Sequence, residues 1–272
     1  MTDPIQLWPG LNEIWGLVFK EKIPQGTEIM NGKMKKENSI MKNQKIYKDE
    51  KKYYHLIRDG IDLLEGKNAI RCWSYPNGDY KWLDENILFH LIRNGTDLLE
   101  GKNAIDCWPF PNGDYEWIDN SRFPCKGYYH LIRDGIDLLE GKNAIHCFSY
   151  SNGDYSWKDE KGYCHLIRDG IDLLEDKNAI SCISYPNRDY EWKDEKGYCH
   201  LIRDGIDLLK GKNAIHCWSY SNGDYRWQDE KGEWYLIRDG IDLLEGKKAI
   251  DCYSYSNGDY GWQDEKGEWH YD

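Results

Sequence analysis

The chain has 272 residues, of which 40% are hydrophobic, 31% charged and 14% aromatic, a composition too rich in rings for a disordered polymer. Its formal net charge of -12 opposes the counterion-releasing contacts that nucleic-acid binding needs, so neither DNA nor RNA is an expected partner. No stretch reaches the roughly 20 apolar residues of a membrane helix, and membrane association is not expected.

The N-terminus, "MTDPIQLWPG", lacks the basic start and apolar run of a signal peptide, which places the chain in the cytoplasm as an expectation. Ile5 to Gly26 carries two Trp and the apolar run "IWGLVF" and reads as a capping strand or a short docking segment. Asn31 to Lys52 is rich in Lys and reads as a solvated linker, with contact to an acidic surface as the alternative. Residues 1–52 thus form an N-terminal cap and linker, and residues 53–272 a repeat domain.

That domain is written in copies. The phrase "HLIRDGIDLLEGKNAI" starts at His55 and returns intact at His130, with variants starting at His90, His165, His200 and Tyr235. The spacing is 35 residues, except that Asn120 to Gly127 lengthens one connection by five. One supersecondary unit per copy, stacked on its neighbours, is the expectation. The fold class is all-β: six tandem antiparallel β-meanders in an extended array, or alternatively a six-bladed β-propeller. Ile46 to Lys52 and Trp262 to Asp272 are expected to be partial units at the two ends.

Within the copy from Ala144 to Arg168, Asn152-Gly153 is a two-residue hairpin signal. It would pair Tyr150 with Tyr155, Phe148 with Trp157 and His146 with Asp159, all on one face. "KDEKGY" then reads as a three-residue loop ending in Gly, which sets His165 beside Trp157 and Ile167 beside Tyr155. Facing rings would contribute roughly 0.5 to 1.5 kcal/mol per pair beyond their buried area, enough over six copies to replace an aliphatic core. "IDLLE" is expected to form a fourth strand after Asp169-Gly170, with a helical turn as the alternative. Arg188 stands where the other turns have Gly, and that turn is expected to be the weakest.

These hairpins, "YPNGDYKW" (Tyr75 to Trp82) and "YSNGDYRWQDEKG" (Tyr220 to Gly232), resemble the Tyr-x-Asn-Gly-Asp hairpin of MORN-type repeats over about half of each copy. The resemblance implies an extended β-hairpin array serving as a scaffold and interaction surface. It departs from the family in that Tyr155 and Trp157 are separated by Ser156 alone, and in that "LIRDGIDLLEGKNAI" has no counterpart.

An enzyme needs one constellation of unlike residues, whereas near-equal copies offer equal places; no nucleophile motif, phosphate loop or metal spacing is present, and neither catalysis nor a cofactor is expected. The candidate binding positions are a Tyr row (Tyr80, Tyr115, Tyr155, Tyr190, Tyr225, Tyr260) and a Trp row (Trp82, Trp117, Trp157, Trp192, Trp227, Trp262), read first as structural and second as surfaces for a sugar. His146 with Asp159 is a candidate acid–base pair, read as a solvent-facing rim. The recurrent His of "HLIR" should pack edgewise against Trp. The Asp after each Asn-Gly is read as stabilising the turn rather than holding calcium, and the recurrent Cys (Cys72, Cys107, Cys147, Cys182, Cys217, Cys252) as a small buried apolar residue rather than a disulfide or metal ligand. A non-catalytic scaffold with a protein partner is the functional expectation, and a carbohydrate-binding propeller the alternative.

Overall fold

A computed structural model describes residues 44–121 and 127–272. The expectations for Ile5 to Gly26, for the linker up to residue 43 and for the center of the insertion lie outside the described residues. The chain divides into two units, Met1–Gln44 and Lys45–Asp272, and the described structure belongs to the second. A strand at Gln44–Lys48 joins the first sheet, so the β structure begins before residue 53.

The described residues are all-β, arranged as seven small antiparallel sheets in chain order. The five middle sheets have four strands each, and the first and seventh have three. In the fourth sheet the strands are His146–Ser149, Tyr155–Lys158, Cys164–Arg168 and Ile171–Asp172. They follow one another as a meander, and packing between sheets joins each sheet to the next.

The turns explain the register. Gly162 N–H donates to Asp159 O (2.9 Å) and Asp159 N–H to Tyr163 O (3.0 Å), with Gly162 at φ 89°; this is a three-residue loop closed by a glycine bulge, as "KDEKGY" implied. It sets Trp157 opposite His165 and Tyr155 opposite Ile167. The Asn-Gly turn has the same form, which corrects the expected register. Gly153 N–H donates to Tyr150 O (3.1 Å) and Tyr150 N–H to Asp154 O (2.9 Å), and Gly153 has positive φ (91°) while Asn152 does not. Asn152 stays right-handed because its side chain is in use: Oδ1 accepts from Asp154 N–H at 3.0 Å.

The loop is therefore one residue longer than a two-residue turn, and the first strand slides by one. Ser149 faces Tyr155, Phe148 faces Ser156, Cys147 faces Trp157 and His146 faces Lys158. Because side chains alternate along a strand, this one-residue slip puts Phe148 and Trp157 on opposite faces. The expected pairs Tyr150–Tyr155, Phe148–Trp157 and His146–Asp159 are not formed.

Asp169 (φ 52°) and Gly170 (φ 80°) make the tight turn that pairs Arg168 with Ile171. The fourth strand is present but only two residues long, and residues 173–176 turn back toward the next sheet.

The core corrects a second expectation, that rings would stand in for an aliphatic core. The most deeply buried side chains are aliphatic: Leu56, Leu91, Leu131, Leu166, Leu201 and Leu236 are 0% exposed. In the fourth sheet Leu166 joins Leu174 and Ala179, and this cluster packs against Cys182, Tyr190 and Trp192 of the fifth. Each sheet thus lays its Leu face on the Cys/Tyr/Trp face of the next. Burying one Leu contributes on the order of 1.5–3 kcal/mol, so this interface, repeated along the stack, outweighs the ring pairs.

Candidate functional site

Two polar systems recur along the stack. The first is built on the Trp row. Trp157 and His165 are cross-strand neighbours, and their rings stack face to face with centroids 4.0 Å apart and planes 10° apart, not edgewise. The same stack joins Trp82 to His90, Trp117 to His130 and Trp192 to His200. Trp262 stacks on His270 at 4.3 Å and Trp227 on Tyr235 at 4.0 Å. A Lys amino group covers the ring from the preceding turn, as with Lys142 over Trp157 at 6.0 Å and Lys102 over Trp117 at 5.7 Å. Trp82, Trp117, Trp157 and Trp227 are buried, and Trp192 and Trp262 are half-buried. The rings are occupied by their own neighbours.

Each His that opens "HLIR" lies between two carboxylates. His165 Nδ1 is 2.6 Å from Asp172 Oδ2, and its Nε2 is 4.0 Å from Asp159 Oδ2. His90 is held the same way by Asp97 (2.6 Å) and Asp84 (3.7 Å), and His130 by Asp137 (2.6 Å) and Asp119 (3.4 Å). The hydrogen bond to Asp97 raises the His90 pKa above its ordinary 6.5 against an opposing effect of burial. For His130, burial pulls down while the Asp137 hydrogen bond and both carboxylate charges raise it, with a net rise. Both ring nitrogens face carboxylates, and the short hydrogen bond is the one at Nδ1. His146, expected to pair with Asp159, instead lies 5.7 Å from the Tyr129 ring, and Asp159 approaches His165.

The second system is built on the Asp of Asn-Gly-Asp, and sequence reasoning reached only part of it. Asp79, Asp114, Asp154, Asp189 and Asp224 are all no more than 4% exposed. Arg168, the last residue of "HLIR", donates from Nε (3.0 and 3.1 Å) and Nη2 (2.6 Å) to Asp154 in its own sheet. Ser184 Oγ–H of the next sheet donates to Asp154 Oδ2 at 2.5 Å. Asn152 Nδ2 donates across the same junction to Ser184 Oγ (2.8 Å) and Tyr185 O (2.9 Å). Arg168 also lies over the Tyr190 ring of the next sheet, 5.6 Å from its centroid.

The Tyr row is therefore a set of stacking surfaces for the preceding Arg, repeated from Tyr80 under Arg58 to Tyr260 under Arg238. The Asp holds one sheet to the next, a larger role than stabilising its turn. Arg at a fixed distance from Asn-Gly-Asp was the available signal, since a buried carboxylate requires a cation. At the second junction Pro109 replaces the Ser, and Asp79 keeps its grip on Arg93 (2.7 Å) without that hydroxyl.

What remains on the outside is simple. The turn of every "RDGID" copy is exposed, with Ile61, Ile136, Ile171 and Ile206 at 65% and Ile241 at 66%; the second unit carries Asn94, Gly95 and Thr96 there. A cleft of about 400 Å³ lies between Trp227, Tyr235, Lys212 and Asp242, in the unit where Tyr replaces His. No helix among the described residues is long and apolar enough to cross a membrane.

No family model matches the chain, and no curated protein matches it. Solved structures similar to it include YCF48 bound to D1 peptide (TM-score 0.35, 10% identity, covering 82% of this chain and 87% of that one). Others are the WD40 β-propeller domain of Doa1 (0.32, 10%, 86% and 90%) and YCF48 from Cyanidioschyzon merolae (0.33, 9%, 82% and 89%).

Proposed function

We propose that the protein is a non-catalytic scaffold that presents one surface several times to a protein partner. The observation that carries this reading is the exposed Asp-Gly-Ile turn, repeated at Asp59, Asp134, Asp169, Asp204 and Asp239 with Ile some two-thirds exposed each time. A single exposed Ile is ordinary on any surface. Five in equivalent positions form a periodic display in which several weak contacts add through effective concentration. Among the described residues, the recurrent His, Asp, Arg and Trp are engaged with one another within and between the sheets. The resemblance of the hairpins to MORN-type arrays supports the same reading, with the cytoplasm as the place of action.

Deleting the fourth and fifth copies (residues 146–215) as one block tests it. The shortened chain should still fold, because each unit contacts only its neighbours, and should bind the partner with at least tenfold lower avidity. Replacing all five exposed Ile by Ser should produce the same loss with an unchanged melting temperature. Undiminished binding by both variants would end the proposal.

A further inference from the structure

The strand that carries "LIR" opens, in each of the first six sheets, with a residue that faces the recurrent Cys of the following sheet. In most units it is bulky: Tyr54, Phe89, Tyr129 and Trp234. In the fourth and fifth units it is Cys164 and Cys199, so that thiol faces thiol across the junction. Cys164 packs with Cys182 in one core cluster, and Cys199 with Cys217 in another. Hydrogen bonding from the Cys182 side chain and backbone acts on the Cys164 sulfur, whereas Cys217, packed beside Cys199, donates its Sγ–H to Glu191 Oε2 at 3.2 Å. All four are free thiols.

A cation accompanies each pair. Lys158 is the cross-strand neighbour of Cys164, and its Nζ reaches over the junction to Ile180 O at 2.8 Å. Lys193 stands opposite Cys199 and reaches Ile215 O at 2.8 Å. Where the facing residue is aromatic, the Lys position holds Leu83, Ile118 or Gln228, or, in the first unit, Lys48, whose amino group lies over the Tyr54 ring at 4.6 Å. The ammonium and the two donors on Cys164 favour its thiolate, the form that reacts with oxidants.

We propose that Cys164 with Cys182, and Cys199 with Cys217, are two oxidant-responsive dithiol sites that close into disulfides and staple the fourth, fifth and sixth sheets together. Each site uses hydrogen peroxide as its oxidant. The Cys164 thiolate attacks one peroxide oxygen, the O–O bond breaks, and the departing hydroxide takes up a proton to leave as water, giving a sulfenic acid. The Cys182 sulfur then attacks the Cys164 sulfur; the S–O bond breaks, the hydroxyl leaves as water with the Cys182 proton, and the S–S bond forms. Two thiols and one peroxide become one disulfide and two waters. A dithiol reductant reverses the step.

Cys182 serves as the resolving partner, and its hydrogen bond to the Cys164 sulfur, together with burial, holds its pKa well above the ordinary thiol value. For Cys164 the hydrogen bond from Cys182 is the leading influence and lowers its pKa, with Lys158 acting in the same direction and burial opposing both. The two thiols are thus unequal, as an attacking and a resolving sulfur should be. Oxidation would remove sliding and fraying at two internal junctions of a scaffold whose display depends on the spacing of its units.

The test uses the full chain. Reduced protein is treated with hydrogen peroxide, denatured, alkylated with N-ethylmaleimide and mapped by mass spectrometry. Two bridged peptide pairs, 164 with 182 and 199 with 217, are expected, with the other cysteines alkylated and with a melting temperature that rises on oxidation and returns on adding a dithiol. In Cys182→Ser the fourth-unit bridge should vanish while Cys199–Cys217 still forms, and Lys158→Gln should slow bridge formation in the fourth unit several-fold relative to the fifth. Full alkylation of all four cysteines after peroxide, bridges to other cysteines, or irreversible over-oxidation of Cys164 without a bridge would overturn the proposal. The wild-type map alone decides it should a variant fail to fold.

Discussion

Removing Asp154 should open the junction between the fourth and fifth sheets. In Asp154→Ala the guanidinium of Arg168, whose side chain is 14% exposed, loses its bidentate partner, and Ser184 loses its acceptor. Taking one partner from a largely buried ion pair costs about 3–5 kcal/mol, mostly because the remaining charge is left uncompensated. The second junction provides an internal comparison. Asp79 has no Ser to bind, Pro109 being in its place, and Arg93 is more exposed at 24%. Asp79→Ala should therefore cost about 1.5–3 kcal/mol less, the size of the missing hydrogen bond to a charged group. Urea unfolding followed by Trp fluorescence gives the totals, and hydrogen exchange locates the change. Protection should fall first at Ser181–Ser184 and Cys164–Arg168, the strands that meet there, since a stack weakened at one interface separates at that interface. A cost below about 1 kcal/mol for Asp154→Ala, or equal costs for the two variants, would refute the view that this carboxylate joins the sheets.

Arg188 adopts φ 70° where the equivalent Gly153 has φ 91°, and its pairing with Asp169 at 2.8 Å is fully on the surface. Arg188→Gly should stabilise the chain by about 0.5–1 kcal/mol in urea melts, because a strained backbone costs more than an exposed ion pair contributes. The raised pKa of His90 adds stability that is fully present below its unfolded value near 6.5 and is lost as pH rises through the higher folded value. Asp97→Asn should remove much of that slope, as read by unfolding at a series of pH values and by NMR titration of His90. In the sixth unit Tyr235→His should place an imidazole against Asp242, which receives only backbone N–H groups from Leu236 and Leu244. A gain of about 1 kcal/mol is expected at pH 6, shrinking by pH 8, with no gain at either pH counting against the Trp–His–Asp reading.

The repeat length, the all-β class, the Asp-Gly turn and the loop in "KDEKGY" follow from local rules, because turn residues and period-two alternation act within a few residues of chain. The Trp157–His165 pairing was legible for the same reason, as one turn separates its strands. Local rules failed at Asn152-Gly153. There the dipeptide alone allows two loop lengths, and the choice rests on Asn152 Oδ1 accepting from Asp154 N–H, a bond that Asn257 also makes in the seventh sheet, where the same loop forms with no sheet following. That choice moved Phe148 to the other face and made Leu166, Leu174 and Ala179 the core in place of facing rings. The Arg168–Asp154–Ser184 contact and the meeting of Cys164 with Cys182 lie beyond any local rule, since each joins residues of different units. The chain's own sequence determined what one unit looks like; stacking decided what each side chain does, because burial between sheets, and the pairing of charges it compels, is a property of two units together.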